Sequence, residues 1–209
     1  IGGTTVQHEG QQIAIWNLDV ANLEDHDRLT ALLVHEMFHA HQISRNEMRF
    51  PNDLILLKAH HCVEALAYKI LEREAITEDI HQFHALRMQR KNLESTEDEE
   101  YLETVEGMAQ KMEYKALSQL NREKSEEYFQ EKMLALKNPK NVYGRHNHYD
   151  VGMMILLQGE KEGLFLSHTI GEESRSIFEL LDGQMKSDTL SVDLPIEAAE
   201  HEYRKIQSK

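Results

Sequence analysis

The sequence predicts an α+β fold that is mainly α-helical, with one small β-sheet near its N-terminal end. Three observations carry that expectation. The stretches 22–44, 54–75 and 101–120 repeat apolar residues at intervals of three and four, the spacing of one helix face. Only one early stretch, 4–18, alternates instead: Ile13 and Ile15 take turns with Ala14 and Trp16. Three Pro and ten Gly in 209 residues leave few loop-rich regions.

Composition narrows the function. A net charge of -14, from 23 basic and 37 acidic side chains, argues against a nucleic-acid partner with its phosphate backbone. No apolar run approaches the roughly 18 residues that read as a membrane span. Cys62 is the single cysteine, which excludes an internal disulfide and a cysteine-rich metal site. The chain begins at Ile1 rather than Met, leaving room for an upstream signal, anchor or domain. Its location is open, with the cytoplasm slightly favoured, and its oligomeric state is open too.

Taken in order, the first element is a hairpin. TTVQ and QIAIWNL are β-prone runs, and HEGQ is the turn between them. Its edge would offer a partner strand to an extended peptide. Asn22-Leu23-Glu24-Asp25 supplies capping residues and early acidity for a helix running to Ser44. Positions 31–40 are apolar on nearly every face except at His35, Glu36 and His39, so this helix is expected to run buried through the protein. Phe50-Pro51-Asn52-Asp53 breaks the chain before a helix over 54–75, and Thr77-Glu78-Asp79 caps another that ends near Leu93. His60 and His61 are neighbours on the first of these helices, so they point about 100° apart and chelate poorly. His81 and His84 have no base between them and are expected on a solvated face.

Residues 94–100 read as an acidic, poorly structured link. The helix over 101–120 places Leu102, Val105, Met108, Ala109 and Met112 at helical spacing, with Gly107 among them. An interior glycine costs about 1 kcal/mol relative to alanine, so close packing is its expected compensation. After a turn at Lys137-Asn138-Pro139-Lys140-Asn141 come a polar, His-rich stretch over 143–149 and an apolar helix over 151–157. Helices over 177–181 and 196–206, with an extended linker over 189–194, complete the tail.

The stretch that carries chemistry is 32–42, LLVHEMFHAHQ, with its H-E-x-x-H. On a helix, His35 and His39 stand one turn apart on one face, close enough to hold one Zn²⁺. Glu36 is rotated towards the open side of such a metal, where a general base belongs. His41 is off that face and is expected behind the ligands or at the surface. A carboxylate would complete a His₂Glu site. Glu103 and Glu106 lie one turn apart on the helix over 101–120, and Glu64 is a rival nearer in sequence. The residues alone leave these three open.

Together these motifs resemble the gluzincin metallopeptidases, whose third zinc ligand is a Glu on a second helix. More narrowly, the chain is similar to poorly characterised bacterial peptidase-like proteins related to the aminopeptidase N catalytic domain. The matching stretches are HEMFHAHQ at 35–42, FHALRMQR at 83–90, ETVEGMAQKME at 103–113 and HYDVGMMILL at 148–157, so the likeness covers roughly 12–157. In that family the zinc-binding Glu precedes a Gly in E-G-x-A, which selects Glu106 ahead of Gly107 and Ala109. A Tyr-x-x-Gly motif, whose tyrosine stabilises the oxyanion, maps to Tyr149 and Gly152. In the mechanism this suggests, His146 or His148 would help that tyrosine; the alternative is that both are solvent-exposed loop residues.

The resemblance implies a zincin-like catalytic domain over 1–157, with a helical hairpin inserted at about 54–93 that folds away and lets Glu106 return to the histidines. Residues 158–209 would be a C-terminal helical extension of the same domain. It also implies a zinc-dependent hydrolase of peptides or proteins, with Glu36 as base and His35, His39 and Glu106 as ligands. Glu103 would then orient a ligand histidine. Two departures stand out. The spacing from His39 to Glu106 is much longer than in aminopeptidase N or thermolysin, and no G-A-M-E-N motif is present, so endo- and exo-cleavage both stay open. The second function class is a zinc-bound interaction or regulatory module without turnover, with the acidic helical hairpin as partner surface. The bland alternative is a helical domain with a chance H-E-x-x-H and no zinc.

Overall fold

A computed structural model describes residues 3–17, 19, 22–47, 62–166, 168–185 and 192–207. Two strands, β1 (Gly3–His8) and β2 (Gln11–Trp16), precede the helices. These are α1 (His26–Ser44), α2 (Val63–Ala75), α3 (Ile80–Lys91), α4 (Glu97–Leu120), α5 (Arg122–Lys137), α6 (Arg145–Lys161), α7 (Ile177–Asp182) and α8 (Ile196–Gln207), with a 3-10 turn at Pro139–Asn141. The protein is thus mainly helical with one small antiparallel sheet, as its periodicities predict. Among the described residues, no helix is long and apolar enough to cross a membrane.

The hairpin pairs Gly3 with Trp16 and His8 with Gln11, so Glu9 and Gly10 form a two-residue turn. Both have positive φ, 47° and 81°, as tight turns of this kind require. The hairpin packs beside α1. That helix starts one turn later than its capping residues suggest, at His26, where the Asp25 carboxylate accepts from Arg28 N at 3.2 Å. It is also less buried than its apolar run implies: Met37 is 62% exposed, because only one side of α1 faces the helical body.

α4 is the centre of that body and packs against α1, α5, α6 and α7. Its crossing with α6 is a backbone contact. A Cβ on Gly107 would lie 2.5 Å from Gly152 Cα, and one on Gly152 would lie 2.0 Å from the Glu103 carbonyl oxygen. This is the close packing that offsets an interior glycine. Phe83, Leu86, Met153, Ile155, Ile177 and Phe178 belong to the main apolar core, and Leu66, Ala67, Val142 and Ala199 form a smaller one that seats α8 on α2.

Several sequence expectations change here. The start of the helix over 54–75, including His60 and His61, and part of the linker over 189–194 lie outside the described residues. Buried arginines tie the pair α2 and α3 to α4. Arg87 donates to Glu72 at 2.6 Å and to both oxygens of Glu103 at 2.9 and 3.0 Å. Arg90 donates to Glu72 and Glu99, both at 2.7 Å, and to Glu94 at 2.8 Å. The acidic link is therefore not loose. Glu97, Asp98, Glu99 and Glu100 form the first turn of α4, where carboxylates suit the helix dipole. His84 is buried rather than solvated: it is 2.7 Å from Asp182 and stacks on Phe178. The polar stretch over 143–149 is mostly the start of α6, not a separate segment.

Candidate metal centre

α1 turns His35 and His39 inwards, both buried, and α4 turns Glu106 towards them. His39 Nε2 lies 3.0 Å from His35 Nε2 and 3.1 Å from Glu106 Oε2. His35 Nε2 lies 3.6 Å from the same oxygen.

The far sides of the two rings fix their protons. His35 Nδ1 is 3.0 Å from Glu113 Oε2, and a carboxylate only accepts, so Nδ1 carries the hydrogen. His39 Nδ1 is 2.7 Å from Gln42 Oε1. Gln42 in turn donates its amide N–H to the Val105 carbonyl at 3.0 Å, which holds that oxygen towards His39. Both Nε2 atoms are left to present lone pairs where Glu106 Oε2 already presents one. Three buried acceptors at this separation call for a cation among them. A tetrahedral zinc with bonds of about 2.0–2.1 Å spaces its donors about 3.3 Å apart. The three observed separations, 3.0, 3.1 and 3.6 Å, bracket that spacing.

The electrostatics agree. Burial works against charge on His35, but Glu106 and Glu113 outweigh it and raise the ring to about 9. In the metal-free chain a proton on His35 thus plays the cation. Burial likewise pushes Glu106 up, yet its contacts with His35 and His39 hold it well below the usual carboxylate range. Arg145 Nη2 reaches the other oxygen of Glu106 at 3.3 Å, which leaves Oε2 for the histidines.

Two groups line the open side. Glu36 is half-buried, and burial pushes its carboxyl up against the pull of His35 and His39. Gly3 lies over it: a Cβ there would sit 2.7 Å from Glu36 Oε1 and 2.3 Å from the Trp16 ring. Tyr149 stacks on His35 with ring centroids 6.4 Å apart. Its oxygen accepts from Arg145 Nε at 2.7 Å, and its O–H is shared with the Glu106 carboxylate. Burial raises its pKa, keeping the phenol protonated.

The structure therefore brings together His35, Glu36, His39, Glu106 and Tyr149. It separates others. His148 is not an oxyanion helper; it lies about 100° round α6 from Tyr149 and is buried with its Nδ1 3.8 Å from Glu103. His146 is exposed and touches the site only through the Tyr149 ring, 5.1 Å away. Glu64 is exposed on α2, and His41 is exposed on α1. Glu103 is held by Arg87, and the contacts behind His35 and His39 come from Glu113 and Gln42. Glu113, Gln42 and Arg145 were not singled out from sequence, although spacing could have found them. Glu113 is two turns beyond Glu106 on the same face, Gln42 is one turn beyond His39, and Arg145 is one turn before Tyr149.

Neither a protein-family model, nor a curated protein, nor a solved structure matches the chain, so the centre is read from its own residues and their geometry.

Proposed function

We propose that the chain is a zinc-dependent peptidase with a zincin-like core, in which His35, His39 and Glu106 hold the metal. One observation carries the reading: three lone pairs converge at metal-ligand spacing, each supported from behind by Glu113, Gln42 or Arg145. Bound zinc would supply an acidified water and a Lewis acid for the scissile carbonyl. Glu36, on the open side, takes a proton and delivers it to the leaving amine. Tyr149 donates its O–H as negative charge develops on the carbonyl oxygen, and Arg145 fixes the direction of that donor. The hairpin end at Gly3 and Trp16 shelters Glu36 on one side, and its main chain offers an extended peptide a partner.

Glu36→Gln tests the reading. The variant should keep stoichiometric zinc and lose about 10²–10⁴-fold in hydrolysis of a peptide library, read by metal analysis and mass spectrometry. Undiminished cleavage would remove Glu36 as the base. Zinc retained without any cleavage by the unaltered chain would assign it to the second class, a zinc-bound interaction module.

A further inference from the structure

Where α6 ends, the chain holds an aromatic ring out to solvent and fixes it there. Phe165 is 77% exposed, the most of any large apolar side chain among the described residues. A single exposed ring is ordinary; the way its backbone is held is not. Gly163, with φ of 71°, stops the helix: its N–H donates to the Glu160 carbonyl at 3.2 Å, and Leu164 N–H donates to the Gly159 carbonyl at 2.8 Å. Gln184, just beyond α7, then takes both backbone groups of Phe165. Its Oε1 accepts from Phe165 N at 2.9 Å, and its Nε2 donates to the Phe165 carbonyl at 2.8 Å. Ordering a loop is part of what association costs, and here that ordering is complete before any partner arrives.

The ring stands on the rim of an apolar hollow. Met108 and Met112 of α4, Phe38 of α1 and Leu156 of α6 line, with Phe165 itself, a cavity of about 360 Å³. A cavity of about 150 Å³ with apolar walls takes benzene, so this one has room for a phenyl ring. His35, His39 and Glu106 do not line it. Knob and hollow thus share one face, the arrangement that a two-fold axis makes reciprocal. Charge favours the same partner. A chain of net charge -14 in general repels its own copies. At this rim Lys111 and Lys115 share Glu160, and Lys161 and Glu162 are exposed beside it, three lysines against two glutamates.

We infer that this face is a site of self-association. Two copies meet about a two-fold axis, and each seats Phe165 in the hollow of the other. An aromatic anchor in an apolar pocket supplies most of the binding energy, and the small contact keeps the dimer in exchange with monomer. The inference goes beyond the zinc reading and does not rest on it, because the two sites share no residue.

Sedimentation velocity from about 10 µM to about 500 µM tests it, alongside spectra of ¹³C-methyl methionine copies mixed with unlabelled ones. Sedimentation should move from monomer towards dimer as concentration rises. Filtered NOEs should join aromatic protons of one copy to the Met108 and Met112 methyls of the other. Phe165→Ser, which removes the ring and keeps the backbone clamp, should weaken association at least about ten-fold with the thermal midpoint of the monomer unchanged. Met112→Trp, which fills the hollow from within, should do the same. Leu134→Ser, at a leucine 69% exposed on α5, should leave association as it is. So should Glu36→Gln, which separates this inference from the zinc reading. A monomer at every concentration, or a dimer that survives Phe165→Ser, would overturn it. A monomer that binds phosphatidylcholine–phosphatidylglycerol vesicles and loses them on Phe165→Ser would assign the face to a membrane surface and overturn it as well.

Discussion

Along α4, Glu99 and Glu103 meet His148, and a turn further on Glu106 meets His35 and His39. Each group places its His and carboxylate atoms within 4.8 Å of one another. They differ in what neutralises them. In the first, the chain has supplied the cations: Lys69 and Arg90 sit on Glu99, and Arg87 grips both oxygens of Glu103. In the second, the Glu106 oxygen that faces the histidines lies beside their ring nitrogens, Tyr149 hydrogen-bonds the same carboxylate, and Arg145 reaches the far oxygen. Residue types and burial alone do not separate a metal centre from a structural ion network. What differs is that lysine and arginine side chains occupy the first cluster, whereas between the ring nitrogens and Glu106 Oε2 of the second the cation is a titratable proton on His35.

Breaking the first cluster should cost stability and spare the metal. Arg87→Met leaves Glu72 and Glu103 buried with a partner missing, a loss of about 3–5 kcal/mol by denaturant unfolding. The folded fraction should still take up zinc; zinc loss at unchanged stability would reverse the two roles. Acid should dismantle the same cluster gradually. Burial pushes Glu99 and Glu103 up, but Arg90 and Lys69 on one, and Arg87 on the other, outweigh it and hold both below the ordinary 4.5. Carboxylates with depressed values add stability above their unfolded pKa and lose it as pH falls through the folded one. Unfolding free energy from this cluster should therefore hold from neutrality to near 4.5 and fall below it. A steep fall already near neutrality would place the titrating group among the histidines instead.

Changes at the second cluster should do the converse. Glu113→Ala removes the acceptor behind His35 and should weaken zinc about 10–100-fold in competition with a chelator. Unchanged affinity would mean that Glu113 does not orient His35 for the metal. The smallest effect belongs to Glu64→Gln. This exposed carboxylate should change stability by less than about 0.5 kcal/mol and leave zinc untouched. Any loss of zinc there would restore Glu64 as a ligand candidate.

Much of this contrast is legible in the sequence, and the illegible part has a physical cause. The H-E-x-x-H helix, the alternating strand and the Gly107 helix declare themselves because their patterns are local and periodic. Glu106 is singled out from Glu64 and Glu103 only by the E-G-x-A resemblance, while Gly107 by itself declares the close approach of α4 to another backbone. The roles of Glu113, Gln42 and Arg145 are not declared, because polar residues at helical spacing look alike whether they face water or a buried ring. His84 is misleading for the same reason: only the fold puts Phe178 and Asp182 beside it. The acidic run over 94–100 reads as loose because its cations, Lys69, Arg90 and Lys91, come from other helices. Helix α5 also escapes the pattern, since Ser125, Tyr128 and Leu136 are its buried residues among many charges.

The two clusters part on where a cation goes. A crystal grown with zinc, with anomalous scattering collected at the zinc edge, tests it most directly. One strong peak is expected at about 2.0–2.2 Å from His35 Nε2, His39 Nε2 and a Glu106 oxygen, and none between Glu99, Glu103 and His148. A peak at that second cluster, or a chain that binds stoichiometric zinc away from His35 and His39, would contradict it.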